Sequence, residues 1–86
     1  ALALGVPYPN PIRSQAAVAF ELPEGGAVRL AVYDLLGREV AVLAEGTRPA
    51  GAHTARVDAG PLASGVYLIR LDAAGQTLTH RVTVVR

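Results

Sequence analysis

Apolar and polar residues take turns, one for one, along most of this chain, and a side-chain repeat of two is that of a β-strand with one buried face. Ala16, Val18, Phe20 and Leu22 alternate with Ala17, Ala19 and Glu21. Val28, Leu30 and Val32 alternate with Arg29, Ala31 and Tyr33. Ala55 and Val57 are set among Thr54, Arg56 and Asp58, and Tyr67, Ile69 and Leu71 among Leu68, Arg70 and Asp72. Leu78, Val82 and Val84 do the same among Thr77, Thr79, Arg81 and Thr83, with His80 in the inward phase. Val40 and Val42 predict a short strand with Leu43 packing at its end, and Val6–Tyr8 a short first strand, which makes seven in all.

The turn chemistry agrees with this reading. Pro23-Glu24-Gly25-Gly26 separates the second strand from the third. Asp34-Leu35-Leu36-Gly37 has aspartate first and glycine fourth, which predicts a type I turn closed by a residue of positive φ. Asp72-Ala73-Ala74-Gly75 repeats the pattern and predicts a second hairpin of the same kind. Ala44–Gly51 and Asp58–Gly65, each carrying glycine and proline, read as loops. A helix over Asp34–Glu45 would be interrupted by Gly37. The expected fold is an all-β, seven-stranded, immunoglobulin-like antiparallel sandwich with Greek-key connections, a small barrel being the alternative.

Size and composition then bound what such a sandwich can do. The chain has 86 residues, one domain's worth, and at that size folding hides only roughly 60–65% of the unfolded surface. Hydrophobic residues make up 51% of the chain, enough for a core. The net charge of +1 gives no electrostatic reason to expect nucleic acid or an anionic membrane. There is no cysteine, hence no disulfide and no thiolate metal site, and no apolar run approaches the ~20 residues of a membrane-spanning helix. The start of the chain, with no methionine and no basic, apolar leader, reads as a cut from a longer protein, with residues 1–5 as a linker remnant and residues 6–86 as the domain.

The polar inventory is poor for catalysis. His53 and His80 lie on different strands, and neither Ser14 nor Ser64 sits in a nucleophile-elbow pattern. His80 reads as a partly buried residue with one nitrogen satisfied, and His53 as a hydrogen-bond partner of loop backbone. Asp34 and Asp72 read as turn formers, no loop gathers three oxygen ligands for calcium, and the glycines are too scattered for a phosphate loop. The expectation is a non-enzyme with no metal and no cofactor. Two surface features stand out. Leu35 and Leu36 occupy a hairpin tip, either tucked over the end of the sandwich or exposed as an apolar knob. The terminal strand Gln76–Arg86 is either an ordinary paired strand or an edge open to strand addition, including homodimerisation between copies.

In order, the motifs Tyr8-Pro9-Asn10-Pro11, Phe20-Glu21-Leu22-Pro23, Val32-Tyr33-Asp34-Leu35-Leu36-Gly37-Arg38-Glu39-Val40, Gly51-Ala52-His53, Leu62-Ala63-Ser64-Gly65-Val66-Tyr67-Leu68-Ile69-Arg70-Leu71 and Val82-Thr83-Val84-Val85-Arg86 resemble the C-terminal sorting domain of type IX secretion cargoes. The resemblance runs over about residues 6–86. It implies a seven-stranded sandwich that follows an upstream cargo in the same chain. It also implies passage through the periplasm, export by outer-membrane secretion machinery, and a secreted or cell-surface destination. In many such cargoes a sortase-like peptidase removes the domain and attaches the cargo to the surface. The positions carried over by motif are Pro9, Asn10 and Pro11; Asp34 and Gly37 in the hairpin; Gly65 and Tyr67; and Val82, Thr83, Val84, Val85 and Arg86, and the apolar tip residues Leu35 and Leu36 join them as candidate recognition residues. One departure is that the last strand carries arginine where relatives often carry lysine. A carbohydrate-binding or structural immunoglobulin-like accessory module is the competing reading; the carbohydrate-binding form would need a platform of exposed aromatics, and the chain has one phenylalanine and three tyrosines.

Overall fold

In the computed structural model, which describes residues 1–85, the alternation closes into two antiparallel sheets. The strands are β1 Ala3–Leu4, β2 Gln15–Leu22, β3 Gly26–Asp34, β4 Glu39–Arg48, β5 Gly51–Asp58, β6 Gly65–Ala73 and β7 Gln76–Val84. One sheet has the order β1-β2-β5 and the other β4-β3-β6-β7. The inward residues of both sheets form one core cluster, with Val18, Phe20 and Val57 from the first and Leu30, Val32, Ile69 and Leu71 from the second. In β2 the pattern is strict, every second side chain from Ala16 to Leu22 being buried.

Strand β4 departs from expectation in length and phase. It runs on to Arg48, so the loop expected over Ala44–Gly51 shrinks to the Pro49-Ala50 corner. Val40 and Val42, expected inside, are 38% and 42% exposed. The cause is two irregularities in the β3–β4 ladder, where Leu30 pairs with Ala44 but Ala31 with Val42, and Val32 with Ala41 but Tyr33 with Glu39. Each skips one residue of β4, first Leu43 and then Val40, and an extra residue reverses which side chains face the core. Ala44 is buried, and Ala41 and Leu43 pack against the core from its margin. On the outer face Arg29 makes ion pairs with Glu39 and Glu45, fastening the irregular strand to β3.

The two hairpins are not of one kind. Gly37 closes the first at φ 84°, as its sequence predicts. In the second, Ala73 pairs with Gln76, so the turn has two residues, Ala74 at φ 52° and Gly75 at φ 72°. Positive φ at both central positions is a type I′ turn, whose twist matches the strands it joins. Asp72 therefore lies inside β6 opposite Thr77, whose hydroxyl donates to its carboxylate at 2.6 Å.

The lead-in pairs with both sheets. The first strand is Ala3–Leu4, earlier than the expected Val6–Tyr8, and Leu4 is buried in the core. Tyr8 keeps an isolated bridge to Ala17. Farther on, Ile12 makes a parallel bridge to Val84 of β7. Residues 3–12 thus pass from the edge of one sheet to the edge of the other. Ile12 is fully buried, and truncating such a side chain costs about 2–5 kcal/mol. His80, partly buried as predicted, reaches the Leu4 carbonyl through Nε2 at 2.7 Å.

Ala74 pays a steric cost in its left-handed conformation that asparagine or glycine avoids. Ala74→Asn is expected to raise stability by about 0.5–1 kcal/mol, read as a higher urea midpoint with unchanged slope. An unchanged or lower midpoint would contradict the assignment of this turn.

Candidate functional site

The carried-over positions scatter from residue 9 to residue 86 in sequence, yet the strand register brings those described to one end of the sandwich. Asp34, Tyr67 and Val82 lie side by side across β3, β6 and β7, and the Leu35–Gly37 tip begins just beyond them. Gly65 pairs with Val84, and Val84 bridges to Ile12, directly after Pro11. Arg86 lies outside the described residues.

The tip is held from below. Asp34 Oδ1 accepts the backbone N–H groups of Leu36 and Arg38, both at 2.9 Å, and Oδ2 accepts Arg38 Nε at 2.8 Å. The Gly37 N–H donates to the Asp34 carbonyl at 3.0 Å. With these groups satisfied by one carboxylate, Leu35 and Leu36 point outward, 65% and 79% exposed. Of the two readings open from sequence, exposure is the one realised. Arg38 was not singled out as part of the turn; its signal is the position four residues after Asp34, within reach of the same carboxylate. The backbone N–H of Arg38, followed by its guanidinium and the Leu36 N–H, holds the Asp34 carboxyl below the ordinary aspartate range, against an opposing effect of desolvation.

Between the tip and the β5–β6 loop lies a depression of about 560 Å³, walled by Leu35, Arg38 and Val40 on one side and Pro61, Val66 and Tyr67 on the other. Tyr67 fills core and donates its hydroxyl to the Ala63 carbonyl at 2.6 Å, as its position at the rim predicts. Gly65 enters β6 at φ 154°, with open space where a side chain would stand. Val82 and Val84 are buried, their side chains turned into the core. Pro9, Asn10 and Pro11 are exposed, while Thr83 and Val85 are partly exposed. Ile12, missed in the sequence because it stands alone after Pro11 outside any alternation, anchors that half of the end.

His53 and Asp58 are engaged with neighbouring backbone. His53 contacts the Pro49 carbonyl through Nε2 at 2.7 Å and stacks on Phe20 at 5.2 Å. Asp58 accepts the Gly60 N–H at 2.9 Å. Among the described residues no group of three His, Asp or Glu side chains is placed to hold a metal ion.

The family model for a secretion system C-terminal sorting domain matches residues 7–85 of the chain. No curated protein and no solved structure matches it significantly.

The environment of Asp34 sets an acid dependence. A carboxyl held below its unfolded value of about 3.9 stabilises the fold above that pH, and this contribution is lost as pH falls through the depressed value. Asp34→Asn keeps an acceptor for the two N–H groups but has no charge. The stability gap between the native chain and Asp34→Asn should be constant near neutrality and close below about pH 4, as followed by urea midpoints against pH. A gap that stays constant into acid would contradict this role of the charge.

Proposed function

The chain belongs to the secretion system C-terminal sorting domain family, and from that premise we propose that the secretion machine reads the end of the sandwich where the hairpin tip, the lead-in motif and the terminal strand meet. The domain is a sorting signal for type IX secretion. Its partners are an upstream cargo and the type IX machinery, and the cargo is secreted or displayed on the cell surface.

The sheet orders β1-β2-β5 and β4-β3-β6-β7, with the chain crossing between sheets after β2, β4 and β5, support an immunoglobulin-like Greek-key arrangement. Residues 6–86 act as the sorting domain and residues 1–5 as the joint to the cargo, docked along β2 through Ala3 and Leu4. The domain carries an address and no chemistry, which fits histidines and aspartates engaged in turns and backbone contacts. The precursor crosses the periplasm, and a sortase-like peptidase removes the domain and attaches the cargo to the surface; this step is taken from the family resemblance.

The observation that carries the proposal is the convergence of the motif positions on one end, crowned by Leu35 and Leu36. Burying a leucine side chain is worth about 1.5–3 kcal/mol, so two exposed at a rigid tip are suited to a partner's apolar seat. Within this end Leu35 and Leu36 make apolar contact with the machine, while Pro9, Asn10, Pro11 and Thr83–Val85 form the second half. The accessory-module alternative is not favoured: Tyr8 is the one strongly exposed aromatic among the described residues, too little for a sugar platform.

The test is a reporter fused upstream of Ala1 in a host with the type IX system. The fusion should leave the cell, and Leu35→Asp with Leu36→Asp should lower export roughly tenfold or more while leaving the thermal midpoint nearly unchanged, because both side chains are exposed. Undiminished export of the double variant would remove the tip from the recognised surface.

A further inference from the structure

Three hydrogen bonds join Asn10 and Ile12 of the lead-in to the end of the terminal strand. The Ile12 N–H donates to the Thr83 carbonyl at 2.8 Å, and the Val85 N–H donates to the Ile12 carbonyl at 2.9 Å. The Thr83 N–H donates to Asn10 Oδ1 at 3.3 Å. Because a backbone N–H is the donor, the Asn10 atom facing it must be the side-chain oxygen. On its other side this stretch is paired with β6, Val66 opposite Thr83 and Gly65 opposite Val84. The end of β7 is therefore filled along both edges.

Two consequences follow. The outward backbone groups of Thr83 are already used, so a partner strand cannot add to β7 there; the end is readable through its side chains and direction. That direction is set by the lead-in. A strand end held on one side alone frays at little cost, whereas one clasped on both sides is fixed relative to the sandwich. Ile12 anchors the clasp because its side chain is fully buried, and Asn10, itself exposed, adds the bond nearest the surface.

We propose that Asn10 is a positioning residue for the terminal strand, so that the Pro9-Asn10-Pro11 motif and Thr83–Val85 form a single recognition unit. The proposal rests on the reading that the secretion machine recognises this end of the domain. It deepens that reading by giving Asn10 an inward role, as acceptor for Thr83, in place of a direct contact with the machine.

The experiment uses the reporter fusion together with amide hydrogen exchange on the chain itself. Asn10→Ala should speed exchange at Thr83 and Val85 roughly tenfold, the scale of one lost hydrogen bond, while the urea midpoint stays near the native value. Export should fall several-fold. Asn10→Asp, which retains the acceptor oxygen, should restore both protection and export. Val85→Pro breaks the same clasp from the other strand by removing its N–H donor, and should lower export even if Asn10→Ala folds poorly. Native-level export of either clasp-breaking variant, or Asn10→Asp protecting Thr83 without restoring export, would overturn the proposal. A native fusion that stays in the cell would overturn the sorting reading and this proposal with it; native export accompanied by undiminished Asn10→Ala export would overturn this proposal alone.

Discussion

The sandwich depends on the seam that Ile12 makes with the end of β7. Two sheets stacked face to face leave open sides, and a small domain has little apolar surface to spare for covering them. Here the lead-in closes one side by working on both sheets in turn. Ala3 and Leu4 pair with β2, Gly5 donates to the Ala19 carbonyl, and Tyr8 bridges to Ala17. The chain then reaches over to β7, where Ile12 is bonded on both sides of its peptide and its side chain enters the core. His80 ties the two sheets a second time through the Leu4 carbonyl. With this side closed, β7 is a shielded strand near its end, while β4 at the other edge of the same sheet leaves Val40 and Val42 exposed.

That arrangement supports the proposal that this end of the domain is the recognised surface. A recognition surface needs side chains held in place by groups that are not themselves available to a partner. Asp34 satisfies the backbone of the tip, which lets Leu35 and Leu36 stand exposed without the turn collapsing onto them. Tyr67 braces the neighbouring loop through Ala63, and Gly65 lets β6 begin beside Val84. On the proposed reading, the buried positions among the family motifs serve the frame and the exposed ones present it.

The sequence was most legible where a single strand decides its own phase. Alternation in β2, β3 and β6 identified Val18, Phe20, Leu30, Ile69 and Leu71 as core, and the spacing of Asp34 and Gly37 identified the first hairpin. It was misleading where phase depends on a neighbour. Val40 and Val42 keep perfect alternation, yet two irregularities against β3 turn them outward, and nothing within β4 announces an extra residue. Asp72 and Gly75 imitate Asp34 and Gly37, but pairing of Ala73 with Gln76 shortens the turn by two residues. Ile12 was silent for the opposite reason: a lone aliphatic among prolines and polar residues has no period, and its partner is 72 positions away along the chain. For the candidate site, the motif order named the residues, but only the register of β3, β6 and β7 shows that they share one end.

The central claim is that this end, and not the opposite one, meets the secretion machine. Site-specific photo-crosslinking in cells exporting the fusion tests it directly, with a crosslinking residue placed at Leu36 or, as the opposite-end probe, at Glu24 in the turn between β2 and β3. The account predicts that Leu36 captures an outer-membrane component of the type IX machinery and that Glu24 does not. Capture from Glu24 with none from Leu36 would contradict it.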